Sequence, residues 1–124
     1  MRAKKIPGPD HPIAIEDNNG RVTVVFNGKT IADSDRALVL RETTYAPVFY
    51  IPREDAEMAS LTRTDHSTYC PYKGDAAYYT ITVDGKTAEN AVWTYEDPFE
   101  AVAAIEDRLA FYASKVDAID VGQG

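Results

Sequence analysis

Cysteine and histidine are scarce in this sequence, and their scarcity excludes two kinds of stabilising site. The chain has one cysteine, Cys70, so it cannot form an intrachain disulfide or a cysteine-based structural zinc site. The two histidines, His11 and His66, lie far apart in the sequence and offer no metal-ligand spacing. We therefore expect no metal site, and the sequence identifies no cofactor.

The chain also lacks a long hydrophobic run and a surplus of basic residues. No apolar stretch approaches the length of a membrane span, and the N-terminal residues lack the pattern of a secretory signal, so we expect a cytoplasmic protein that does not bind a membrane. There are 13 Lys and Arg against 20 Asp and Glu, for a formal net charge of -7. Phosphate-backbone binding needs clustered basic residues, so nucleic acid is not an expected partner.

Length and composition predict one small globular domain. The chain has 124 residues, 44% of them hydrophobic, which is enough to form a core without disulfides. Prolines near the N-terminus remove backbone donors and favour extended chain. We divide the sequence into an extended N-terminal arm at residues 1–20, a β domain at 21–117 and a C-terminal tail at 118–124.

Two dipeptides mark hairpin turns. Asn27-Gly28 and Asp84-Gly85 both tolerate the positive φ angles that a type I′ turn needs at its two central positions. Each dipeptide is flanked by segments rich in β-branched or aromatic residues, which is typical of paired strands. The strands predicted around these turns and elsewhere are residues 21–26, 29–32, 37–41, 48–51, 76–83 and 86–95.

Two segments have helical features. Glu54 and Asp55 lie within the first turn after Pro52, which predicts a short helix of about two turns. After Pro98, apolar residues recur at helical spacing as far as Tyr112; alternatively, a helix ends near Ile105 and residues 108–112 form a strand. About seven strands with one or two short helices indicate a mainly β, single-domain protein with a curved antiparallel sheet or a partly open barrel, which leaves a cleft.

The segment from His66 to Tyr79 is unusually dense in reactive groups. It contains the only cysteine, one of the two histidines and four of the eight tyrosines. Cys70 is a candidate nucleophile if Lys73 or His66 lowers its pKa, although free cysteine is commonly a buried core residue. His66 follows Asp65 and is a candidate general base, but the same residues also suit a polar turn.

Neighbouring residues add hydrogen-bonding groups. Tyr78 lies on the opposite face of its predicted strand from Tyr79, so its hydroxyl is available to a pocket. Lys73 precedes a glycine and is interpreted either as part of a turn or as an anion-binding residue. Arg41 and Glu42 end a predicted strand and suit either a surface ion pair or a pocket wall.

Asn90 and Trp93 lie within one predicted strand. Asn is disfavoured in strands, which favours a functional or hydrogen-bonding role for Asn90. Trp93 shares a face with Ala91 and Tyr95 and is expected in the core. Asn90 shares the other face with Val92 and Thr94, and that face is expected to lie toward a cleft or solvent.

These residues lead to three functional hypotheses. The first is a small-ligand pocket, because polar and aromatic groups converge on loop and strand positions. The second is a small enzyme that uses Cys70 or His66. The third is a homodimeric interaction module, because exposed strands and aromatic residues can mediate pairing. The predicted pocket residues are Arg41, Glu42, Tyr50, His66, Thr68, Cys70, Tyr72, Lys73, Tyr78, Asn90 and Trp93.

Several motifs together resemble the DUF427 family over roughly residues 10–117. The most specific is the Cys-Pro-aromatic-Lys-Gly run at residues 70–74, followed by the paired tyrosines. The other segments that carry the resemblance are 11–13, 50–55, 66–69, 90–95, Pro98 and Phe111-Tyr112.

The resemblance implies a small, curved, mainly β domain of the β-tent type. Relatives of that fold class often carry cysteine-rich zinc sites, which a chain with a single cysteine cannot reproduce. The family has sometimes carried a nucleotidyltransferase label. This sequence has no helix-borne Gly-Ser with paired carboxylates, so the label is not adopted.

Overall fold

The protein is mainly β, in a computed structural model that describes residues 3–122. Four residues of the predicted arm and tail, at 1–2 and 123–124, lie outside that range. The strands of the described range are β1 (Ile13–Asp17), β2 (Val22–Phe26), β3 (Lys29–Ser34), β4 (Leu38–Glu42), β5 (Val48–Tyr50), β6 (Leu61–Cys70), β7 (Gly74–Val83), β8 (Lys86–Tyr95), β9 (Leu109–Phe111) and β10 (Ala118–Val121).

The strands form three antiparallel sheets within one small domain. Their orders are β1-β4-β5, β10-β2-β3 and β6-β7-β8-β9, and none of the three closes on itself. The first and third sheets meet where Ile51 and Leu109 each donate a backbone hydrogen bond to the other, both 2.8 Å. The predicted mainly β, antiparallel fold class is confirmed.

Both predicted type I′ turns are present. Asn27 and Gly28 have φ angles of 50° and 77°, and Asp84 and Gly85 have 50° and 80°. These two-residue loops join β2 to β3 and β7 to β8. The dipeptides determine the turn locally, because few other residues tolerate two successive positive φ angles.

The helical segments are all short 3₁₀ turns in the described residues. They span Arg53–Asp55, Met58–Ser60, Glu100–Ile105 and Ala113–Lys115. The two-turn helix predicted after Pro52 is therefore wrong in form. The backbone N–H of Glu57 donates to the carbonyl of Ile31 at 2.7 Å, so pairing with β3 replaces the hydrogen bonds of a second helical turn.

The second interpretation of the stretch after Pro98 is confirmed. A 3₁₀ segment ends at Ile105, and residues 109–111 form β9, which pairs with β8. Val102 and Ile105 are fully buried. No helix among residues 3–122 has the length and apolar character needed to cross a membrane.

Three strands were missing from the sequence-based assignment. Strand β1, within the predicted arm, pairs with β4, and β10, within the predicted tail, pairs with β2. The polar β6 was interpreted as loop. It is an edge strand with most side chains exposed, so it carries no alternating apolar pattern that would reveal it.

A β-bulge at Asn90 changes the faces expected for β8. Asn90 has a φ of 51°, and the pairing of β7 with β8 shifts register between Tyr79 and Ile81. Ala91 and Val92 are consequently both fully buried, and Thr94 is fully buried too. The prediction that Val92 and Thr94 face a cleft or solvent is therefore wrong. Trp93, expected in the core, is only half-buried and packs at the edge of the second core cluster.

Candidate functional site

A buried ion pair lies at the centre of the candidate site. The ammonium Nζ of Lys73 donates to Oε1 of Glu42 at 2.6 Å, and the two side chains are only 10% and 13% exposed. Nε2 of His11 lies 2.6 Å from the second carboxylate oxygen, Oε2. Charges removed from water need such partners, and both oxygens of Glu42 have one.

A tight turn between β6 and β7 positions Lys73. Its backbone N–H donates to the carbonyl of Cys70 at 3.2 Å, and its own carbonyl accepts from Phe99 at 2.9 Å. Gly74 follows with a φ of 110°, a backbone conformation that glycine adopts far more readily than other residues. The Cys-Pro-Tyr-Lys-Gly run therefore fixes the Lys73 backbone beside the end of β4.

The N-terminal arm brings His11 to the same place. Gly8 and His11 exchange backbone hydrogen bonds of 3.3 and 3.0 Å, which closes a turn ahead of β1. The His11 ring stacks on Tyr72, with centroids 3.9 Å apart and planes 4° apart. The stack and the Glu42 contact together fix the imidazole.

A cavity of about 240 Å³ opens beside the ion pair. Aromatic side chains, mainly tyrosines, form much of its wall. Its lining residues are Leu40, Glu42, Tyr45, Ala46, Val48, Tyr50, Lys73, Tyr78, Trp93, Tyr95 and Tyr112.

Three tyrosine hydroxyls of the cavity wall, those of Tyr50, Tyr95 and Tyr112, stay protonated well above neutral pH. Burial raises the pKa values of Tyr50 and Tyr95 far above the ordinary value. Burial and a hydrogen bond with Tyr78 raise the pKa of Tyr112 to about 12. The Tyr78 hydroxyl shares a 2.8 Å hydrogen bond with that of Thr68. A neutral phenol both donates and accepts, so the wall can satisfy either kind of ligand group.

Glu42 is ionised at neutral pH despite its burial. Burial alone raises the pKa of this carboxyl, but the hydrogen bonds and charges of Lys73 and His11 outweigh that effect and hold the pKa below its usual range. The site therefore contains a carboxylate paired with an ammonium, with the His11 imidazole on the second carboxylate oxygen.

The depressed pKa of Glu42 predicts a pH-dependent contribution to stability. Glu42→Gln should lower the free energy of unfolding at pH 7 by about 1.5–3 kcal/mol, the usual contribution of hydrogen bonds to a charged group. The carboxylate stabilises the fold above its unfolded pKa of about 4.3, and this contribution is lost as pH falls through the lower folded value. Urea denaturation at pH 7 and pH 3 should show the difference shrinking, whereas the exposed Glu106→Gln should show little effect at pH 7. If Glu42→Gln lowers the free energy of unfolding by the same amount at pH 7 and pH 3, the lowered pKa of Glu42 is contradicted.

Five of the eleven predicted pocket residues line this cavity, two more contact residues that line it, and Tyr72 contacts His11. The hydroxyl of Thr68 contacts Tyr78, the Sγ of Cys70 lies 3.7 Å from the Lys73 ammonium, and Tyr72 stacks on His11. The five that line the cavity are Glu42, Tyr50, Lys73, Tyr78 and Trp93.

The other three predicted residues lie outside the cavity wall. Arg41 is exposed and pairs with Glu16 at 3.3 Å rather than with Glu42. Asn90 accepts a 2.7 Å hydrogen bond from Thr64 at the bulge of β8. His66 is exposed, with its ring edge-on to Tyr78 at 4.5 Å between centroids.

Sequence reasoning missed four residues of the site that carry aromatic or imidazole rings, besides the aliphatic lining residues Leu40, Ala46 and Val48. His11 was assigned to an arm, Tyr95 to the core, and Tyr45 and Tyr112 to no role. The available signal was weak: His11 is one of two histidines, and it and Tyr112 lie in segments that resemble the DUF427 family. No group of three or more His, Cys, Asp or Glu side chains within residues 3–122 is arranged to hold a metal ion.

A family model described as "Domain of unknown function (DUF427)" matches residues 14–122, which is nearly the whole chain. No protein of curated function matches the chain.

Proposed function

The chain belongs to the DUF427 family, and because that description assigns no reaction, we propose a function from the geometry of the site. We propose that the protein binds a small, uncharged organic molecule in the cavity beside Glu42 and Lys73. The observation that carries this proposal is a buried ion pair next to a cavity walled largely by tyrosines. Pockets with mostly apolar walls and a few polar groups are the usual form of a small-molecule site.

The existing ion pair favours an uncharged ligand. Glu42 already pairs with Lys73 at 2.6 Å. An anionic ligand therefore has to compete with the Glu42 carboxylate for the Lys73 ammonium. A cationic ligand has to displace the ammonium in the same way. A neutral group that donates and accepts, such as an amide, meets the tyrosine hydroxyls without breaking the pair.

The aromatic walls favour a flat or compact ligand body. Trp93 and Tyr112 stand 4.4 Å apart between ring centroids, and Trp93 meets Tyr50 edge-on at 6.5 Å. The indole N–H of Trp93 also donates to the Tyr50 hydroxyl at 3.4 Å. These rings present a large apolar area with hydroxyls at its edge.

Three molecules of nearly identical shape test the charge preference. Benzamide is neutral, benzoate is an anion and benzamidine is a cation at neutral pH. We expect benzamide to bind most tightly, because it alone leaves the Glu42–Lys73 pair intact. The chain has one tryptophan, so the single indole N–H signal in a ¹⁵N correlation spectrum reports each titration from the cavity wall.

The control is a variant that removes a hydroxyl from the wall. Tyr78→Phe should weaken benzamide binding several-fold, whereas Tyr69→Phe, which changes a hydroxyl outside the cavity lining, should not. Equal or tighter binding of either charged molecule, or no benzamide-dependent movement of the indole signal, contradicts the proposal.

A second candidate function is a thiol-dependent reaction at Cys70. The specific observation is the Lys73 ammonium 3.7 Å from Sγ, because a neighbouring cation favours the thiolate, which is the nucleophile. This candidate requires the half-buried thiol to react with iodoacetamide at pH 7 faster than a free peptide thiol. Slower alkylation in the native protein rules out a nucleophilic Cys70.

A further inference from the structure

A second cavity adjoins the polar one. It encloses about 340 Å³ between the β10-β2-β3 sheet and the β5–β9 junction. Its wall is made of apolar side chains apart from the polar atoms of Trp93 and Tyr112. Representative members from five elements of the fold are Val24, Phe49, Phe111, Ala113 and Ile119.

The two cavities share part of their walls. Ala46, Val48, Trp93 and Tyr112 line both, so the Trp93–Tyr112 ring pair separates a polar chamber from an apolar one. Ala46 lies in the connection between β4 and β5 and is exposed. A flexible molecule that enters beside Ala46 therefore meets both chambers.

We infer that the ligand is amphipathic, with its uncharged polar head beside Glu42 and Lys73 and an unbranched apolar tail in the second cavity. This inference rests on the proposed function, because it assumes that the polar chamber holds the head. An apolar cavity of about 150 Å³ already admits benzene. The second cavity is roughly twice that volume, so it accommodates a tail of several carbon atoms.

The adjoining chambers explain why the ligand needs both parts. Transfer of an apolar tail from water to a wall of Val, Ile and Phe side chains lowers the free energy of the system. A polar head loses its hydrogen bonds if it enters the apolar chamber. In the polar chamber, the tyrosine hydroxyls can form hydrogen bonds with it. The difference in polarity between the two chambers therefore determines the orientation of the ligand, with the head in the polar chamber and the tail in the apolar one.

A series of straight-chain primary amides from butanamide to octanamide tests the inference. Each added methylene should tighten binding about three- to fourfold, which corresponds to burial of one CH₂ group. The probe is again the indole signal of Trp93, which lies on the wall between the chambers. Ile119→Phe fills the second cavity and should flatten the series, while Val25→Phe adds the same kind of ring on β2 outside the cavity lining and should leave the series steep.

The outcomes separate this inference from the proposed function. If benzamide binds but amide affinity does not rise with chain length, the tail assignment is overturned and the polar site stands. If neither benzamide nor the amides bind, both fail. A steep series that Ile119→Phe leaves unchanged also overturns the tail assignment. Ala113→Phe, at an exposed position on the cavity wall, gives the same test if Ile119→Phe does not fold.

Discussion

Lys73→Met is expected to lower the free energy of unfolding by roughly 2–4 kcal/mol. The substitution keeps most of the unbranched side chain but removes the ammonium that donates to Glu42 at 2.6 Å. A carboxylate only 13% exposed then keeps its charge with His11 as the remaining partner. The expected loss is below that of a fully buried pair because water still reaches part of both side chains. Chemical denaturation at pH 7 measures it.

The double variant Glu42→Gln with Lys73→Met is the control for this prediction. Removing both charges avoids the uncompensated carboxylate, so the double variant should be more stable than Lys73→Met alone. If the losses in unfolding free energy from the two single substitutions add up to the loss in the double variant, Glu42 and Lys73 are not energetically coupled. If Lys73→Met is nearly neutral, the pair makes no energetic contribution and the electrostatic description of the site is wrong.

Leu109→Ala is expected to lower the free energy of unfolding by about 2–5 kcal/mol. Leu109 is fully buried and belongs to the short strand β9, whose backbone joins the first and third sheets through Ile51. Truncation leaves a cavity where these sheets meet, and the surrounding backbone hydrogen bonds limit its collapse. Urea denaturation with a two-state fit gives the value.

Leu38→Ala is the matched comparison on another strand. Leu38 is only half-buried at the start of β4, so its truncation should cost less than half as much. Equal losses for the two variants would show that the sheet junction is no more tightly packed than the edge of β4.

The fold could be predicted where the signal is local. Asn27-Gly28 and Asp84-Gly85 determined their turns because the required φ angles depend on the dipeptide itself. Strand β6 could not be recognised, because an exposed edge strand needs no apolar alternation. The only sign of the bulge in the sequence is Asn90, a residue type that is disfavoured in strands. Which neighbouring side chains the bulge buries depends on the pairing of β8 with β7.

The site could be predicted only in part for a similar reason. The dense segment from His66 to Tyr79 identified Lys73 and Tyr78, which line the cavity. His11 and Tyr112 come from opposite ends of the chain, and no short-range pattern links either one to Glu42. Sheet pairing of β1 with β4, and of β9 with β8, brings them to the site.

A crystal structure of the protein with bound benzamide tests the central claim most directly. We expect electron density for the amide between Trp93 and the Glu42–Lys73 pair, with the amide within hydrogen-bond distance of at least one tyrosine hydroxyl and the ion pair intact. Density for benzamide only elsewhere on the surface, or an occupied cavity in which Glu42 and Lys73 have separated, would contradict it.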